Sequence, residues 1–242
     1  MLERGRIGFD RTISAEWLDA VAARATHGEP PEVTRKFLWE FLDGAETGST
    51  NNSNRGKTIT VLARIWLSVP KPAEALKKAA LNCLASTPGE KRIAVHWAMV
   101  IGTHPFFLDV ATHTGKLLKL HGYASRSQIK RHMMEVWGDR STLERAIQHV
   151  LRSMLQWGLL RVGQQRGALV GPVQCIYTDN DLSELLVHSI LVGSGNGLQL
   201  ARLVNHPALF PFSIHLTTQD LATSRTFRLE RQGDQSEHVE LA

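Results

Sequence analysis

The sequence predicts a mainly α-helical fold, and three observations carry that prediction. Apolar residues recur at i, i+3, i+4 and i+7 through most of the chain up to about Met154. Prolines and glycines fall between those periodic runs rather than inside them. From Tyr123 to Val173 the order becomes helix, short turn, helix and hairpin, which is the grammar of a winged helix-turn-helix. The 242 residues then divide into a helical bundle over 1–105, a winged helix-turn-helix over 106–178 and a small α/β C-terminal extension over 179–242.

The elements follow in order. A helix is expected from Ser14, as its cap, to Ala25. Pro30-Pro31 breaks the chain, and a second helix runs from about Glu32 to Leu42. DGAETGSTNNSNRG (43–56) is a polar loop, long for a compact domain. Ile59, Leu62, Ala63 and Trp66 give the apolar face of a helix over Lys57–Leu67. Pro70 and Pro72 stop it, and further helices are expected over 73–85, 90–101 and 104–121, the last as one helix or two. The stretch YASRSQIKRHMMEVWG reads as a helix with Ser125 or Ser127 at its start. After Gly138-Asp139-Arg140, Ser141-x-x-Glu144 reads as a capping box for the next helix, which closes at Gly158. Two short apolar runs around Gln164-Gln165-Arg166-Gly167 read as a hairpin. Beyond Thr178, helices are expected over 180–192 and 198–204, and strands over 212–217, 226–231 and 237–241.

Charge is unevenly spread. The net charge is +5, yet residues 110–170 hold ten Lys/Arg against three acids, while 179–242 hold four Arg against eight acids. A positive surplus concentrated in one segment suits a polyanion-facing surface. A solvated helical face is the plainer explanation of such a run. No stretch is long and apolar enough for a membrane span, and MLERGRIGFDRTIS lacks the apolar core of a secretory signal. Two distant cysteines, Cys83 and Cys175, fit a reducing, cytoplasmic setting.

The helix over 142–157 is the most informative element. Leu143, Ala146, Ile147, Val150, Leu151, Met154 and Leu155 share one side. Arg145, Gln148, His149, Arg152 and Gln156 share the other, and no acid interrupts them. Arg and Gln can each make paired hydrogen bonds to a base edge. Arg140, Ser141 and Thr142 would enter a groove at the helix start, where phosphate is favoured. Arg126, Lys130 and Arg131 on the preceding helix would cross the phosphate backbone, with Gln165 and Arg166 at the wing. Phosphate affinity is expected from Lys130, Arg131, Arg152 and Arg166, and sequence preference from Arg145, Gln148 and His149. Double-stranded DNA, a docked protein and plain water remain open as what this face meets; its lack of acids favours DNA.

Other motifs dissolve on inspection. Gly56-Lys57-Thr58 resembles a nucleotide loop, but Asn51 stands where the first glycine is needed and no strand leads in. Arg55 and Lys57 read as surface groups and as a secondary DNA contact at most. Gly193, Gly195 and Gly197 miss the dinucleotide spacing, with Leu198 at the third glycine position. Eleven histidines form no H-E-x-x-H, and His96, His104 and His113 are not spaced for one helical face. The six tryptophans sit at apolar helical positions and read as core. No cofactor, metal site or catalytic constellation is expected, so the chain reads as a non-enzyme.

Three patterns together carry a family resemblance: Gly56-Lys57-Thr58-Ile59, then Arg140-Ser141-Thr142, then Trp157-Gly158-Leu159-Leu160. In their order, over roughly residues 30–175, the chain resembles the BrxA proteins of bacterial BREX phage-exclusion systems. The resemblance implies a non-enzymatic DNA-binding protein, a NusB-like helical N-terminal part before the winged helix, and phage-defence proteins as companions. The acidic residues after 178 run longer than that pattern and suit a docking surface for a partner. The rival functions are a transcriptional regulator, a winged-helix scaffold for a protein partner, and an RNA-binding antitermination-like protein.

Overall fold

The computed structural model describes residues 5–231 and 237–242, with the side chain of Arg231 left out. The first four residues of the expected bundle, and 232–236 between the last two expected strands, lie outside the described residues. Mainly helical as expected, the described residues hold eleven α-helices and eight short strands.

Helix α1 (Ala15–Thr26) begins where Ser14 Oγ accepts the Trp17 amide, and α2 (Pro31–Phe41) begins with proline at its first position. Helix α3 (Asn54–Trp66) starts three residues before the Lys57 start that the sequence suggests, because Ser53 Oγ accepts the Gly56 amide and caps it there. The polar segment ahead of it is folded around Arg55. Its Nε donates to the Glu46 carbonyl at 3.1 Å, one Nη donates to the Trp39 carbonyl at 3.2 Å, and the other pairs with Asp43. Arg55 is therefore a staple with a 16% exposed side chain, not the surface group and secondary DNA contact that the sequence suggested. Helices α4 (Glu74–Ser86), α5 (Arg92–Thr103) and α6 (Pro105–His121) complete this part. The chain bends by 115° between α5 and α6, where Pro105 cannot continue the hydrogen-bond ladder.

Next come β1 (Ala124–Ser125), α7 (Arg126–Trp137), α8 (Leu143–Gln156), β2 (Arg161–Val162) and β3 (Ala168–Val170). The strands form one antiparallel sheet in the order β1-β3-β2. Ser125 and Gln128 make the capping box of α7. The box expected at Ser141 does not form. Helix α8 starts at Leu143 without a side-chain cap, and Glu144 reaches instead to Lys130 of α7, 2.7 Å away. A charged partner across the helix pair takes the carboxylate that a local cap would have used. Gly158, at φ +72°, ends α8 in the left-handed turn expected of it.

The remaining elements are β4 (Ile176–Tyr177), α9 (Asn180–Ser194), β5 (Leu198–Gln199), α10 (Leu200–Val204), β6 (Phe212–Ser213), α11 (Thr218–Thr223), β7 (Phe227–Arg231) and β8 (Glu237–Leu241). Strand β4 pairs with β6 in parallel, and β5, β8 and β7 form an antiparallel sheet in that order. The strand expected over 212–217 shrinks to two residues, because Thr217 and Asp220 make the capping box of α11.

Residues 179–242 are not peripheral in the packing. Helix α9 buries Leu182, Leu185, Leu186, Val187, Ile190 and Leu191 and packs against α4 and α5. Each fully buried leucine or isoleucine contributes about 1.5–3 kcal/mol. Gly193 permits the close approach: a Cβ there would stand 2.7 Å from the Ile101 carbonyl oxygen of α5. The acids of α9 sit in its first turns, ahead of an apolar run, so an acidic segment still supplies core. Among the described residues no single helix is long and apolar enough to cross a membrane.

Candidate nucleic-acid interface

The face of α8 is built by its packing. Leu143, Ala146, Ile147, Val150, Leu151 and Met154 are buried against α6 and α7. Trp137 of α7 donates its indole N–H to Asp109 of α6 at 3.0 Å and meets Phe106 edge-on at 5.1 Å, which fixes α7 on α6. Trp157, just past α8, stacks on Phe107 at 5.7 Å. These contacts leave Arg145, Arg152 and Gln156 exposed and Gln148 half-buried. Among the described residues, neither Arg145 nor Arg152 has an ion-pair or hydrogen-bond partner.

The N-terminal segment borders one edge of this face. Ser153 Oγ accepts the Ile13 amide at 2.9 Å, and the Trp157 indole donates to the Ile13 carbonyl at 2.9 Å. Thr12 Oγ1 lies 2.9 Å from His149 Nδ1. Arg140 donates to the Gly5 carbonyl at 3.0 Å. His149 is consequently half-buried and engaged. Burial, then the guanidiniums of Arg11 and Arg152, holds it below the ordinary imidazole range, against a smaller upward pull from Asp10. It lies at the margin of the face, beside Arg145 and Gln148, with which the sequence grouped it as a reader of bases.

Acids flank the face on both sides although none lies along its middle. Asp10 approaches one edge, 3.5 Å from Arg11. Glu144 occupies the other and holds Lys130, whose ammonium it stabilises in the charged form. Lys130 is thus engaged within the protein. Arg126 and Arg131 on α7 are exposed, as are Arg140, Ser141 and Thr142 ahead of α8 and Gln165 and Arg166 on the β2–β3 loop. The predicted positive groups therefore lie on α7, on α8 and on that loop, which is itself shaped by Gly167 at φ +79° and the Gly163 amide donating to the Ala168 carbonyl.

Sequence reasoning missed Arg11 and Thr12 at this site. Both act from an extended segment without periodicity, so no pattern announces them. Gln156 continues the outward face by one turn and was visible from helical spacing.

Comparison with protein-family models, with curated proteins and with solved structures finds no match to this chain. Among the described residues no group of three His, Cys, Asp or Glu side chains is placed to hold a metal ion.

Proposed function

We propose that this chain is a double-stranded DNA-binding protein of the winged helix-turn-helix class, in which α8 enters the major groove and the β2–β3 loop acts as the wing. The observation that carries the reading is the outward face of α8, where Arg145 and Arg152 stand exposed beside Gln148 and, among the described residues, have no internal partner. Their neighbours Arg126, Arg131, Arg140 and Arg166 extend the positive surface. The order of α6, β1, α7, α8, β2 and β3, with its β1-β3-β2 sheet, supports the same class.

Phosphates supply most of the affinity through the arginines, and Arg145 with Gln148 supplies any base preference. Ser141, Thr142 and the start of α8, which no side chain caps, suit a phosphate. No reaction is assigned to the site. The resemblance to BrxA proteins, with its NusB-like N-terminal part, makes a bacterial phage-defence system the cellular setting we favour, with other defence proteins as companions in the cytoplasm.

The test is fluorescence anisotropy on a labelled duplex of about three helical turns (~30 base pairs), over a salt series, for the parent and an Arg145→Glu/Arg152→Glu variant. The reading expects steep salt dependence in the parent. Each phosphate contact the variant loses should lower the log–log slope by about 0.9. Equal binding by both, or none at low salt, would overturn it.

A further inference from the structure

A recess away from α8 lies between α4 and α9 and encloses about 240 Å³. Asn82 and Cys83 face it from α4, and Asp181, Glu184 and His188 face it from α9 at i, i+3 and i+7. Thr226, just ahead of β7, completes the wall.

His188 is the revealing member. It is only 4% exposed, its ring meets Phe227 edge-on, and among the described residues neither ring nitrogen has a hydrogen-bond partner. The ring lines the recess, so its nitrogens can be reached from it. Burial pushes the imidazole down to about 4, so near neutrality one nitrogen is a free acceptor. Asp181 and Glu184 add carboxylate oxygens. Glu184 accepts from Ser224 Oγ at 2.9 Å, and among the described residues no cation pairs with either acid. Burial, and then Asp181, Asp179 and Glu184, pushes the Cys83 thiol up to about 11. The sulfur therefore remains protonated and is suited neither to attack nor to metal ligation.

Acceptors from α9 thus line one wall of the recess, with Leu185 beside them as its apolar flank. A donor-only ligand matches such a wall. The volume lies under the ~300 Å³ at which drug-sized pockets begin, which limits the ligand to a small one. We propose that this recess binds a small organic cation, a primary alkylammonium whose N–H groups donate to His188, Glu184 and Asp181 while its alkyl stem lies along Leu185. The site is independent of the DNA-binding face.

Isothermal titration of the full chain with butylammonium chloride tests it, with 1-butanol as the uncharged counterpart and zinc chloride as a metal probe. Saturable binding of butylammonium alone is expected. Glu184→Gln should weaken it about tenfold or more, the loss of one charge-assisted hydrogen bond. Glutamine still accepts from Ser224, so this variant should keep the parent unfolding temperature and decides the matter even if His188→Leu fails to fold. No saturation at millimolar butylammonium, equal binding of butanol, binding of zinc in its place, or an unchanged Glu184→Gln isotherm would each overturn the proposal.

Discussion

Thr12 Oγ1 and His149 Nδ1 meet at 2.9 Å although 137 positions separate them. Together with the two bonds from Ile13 to Ser153 and Trp157, they join an extended N-terminal segment to the edge of α8. The segment sets the orientation of the helix that carries Arg145 and Arg152.

Ser153→Ala should therefore destabilise the fold out of proportion to the atom removed. The Ile13 amide would lose its acceptor in a buried position, which costs about 1–3 kcal/mol. Urea unfolding of parent and variant reads this directly. A midpoint unchanged at constant slope would show that the segment does not brace α8.

On the function proposed above, Glu144→Gln should strengthen DNA binding. Lys130 is released from its exposed carboxylate partner and becomes available to a phosphate, and one repelling charge is removed. The slope of log affinity against log salt should steepen by about 0.9. A weaker complex would mean that Glu144 helps to present the face rather than masking it.

Gly115→Ala should be among the most damaging small substitutions. A Cβ there would collide with the carbonyl of Pro207, where α6 packs on the turn at Pro207–Leu209, and backbone cannot rotate away as a side chain can. Overpacking of this kind costs about 1–3 kcal/mol or more. Thermal unfolding should fall accordingly, while Gly89→Ala, where nothing lies within 4 Å, should leave it near the parent value.

Acid should unfold this protein early. Burial pushes His104 down to about 3 and His188 and His206 down to about 4. A base with a depressed folded pKa leaves the folded chain binding fewer protons than the unfolded chain. Stability is therefore full above the unfolded imidazole value near 6.5 and declines as pH falls toward about 4. At about pH 5 the fully buried His104 alone should cost roughly 2 kcal/mol. Urea midpoints across this range should slope downward, and His104→Leu should flatten the slope by about one proton. A flat profile in the parent would contradict the burial of these rings.

Much of this was legible from spacing. The apolar side of α8, the glycine that ends it and the hairpin after it all follow from local pattern, and so do most helices. Long-range choices were not legible. Glu144 stands three residues after a serine, so local grammar assigns it to a cap, whereas Lys130 on the neighbouring helix takes it. Arg55 reads as a surface charge because nothing local shows that three partners around it fold the loop. The acidity of 179–242 hid a core helix, although an apolar run on every side of LLVHSILVG is itself a signal of burial. His149 sits at the edge of the outward arc, where a small rotation of the helix decides between solvent and Thr12.

The position of α9 has a bearing on how the chain comes into being. During synthesis α5 is made first and waits, the side that α9 will cover still open, while the ribosome produces the 76 residues from 104 to 179, which include α6, α7, α8 and the hairpin. Only when α9 emerges can that side close. A message truncated near codon 178 would encode every predicted DNA contact yet yield a product with an open seam. The seam would expose the apolar residues that α9 covers on α5, so the acidic segment is a structural requirement for the part made ahead of it.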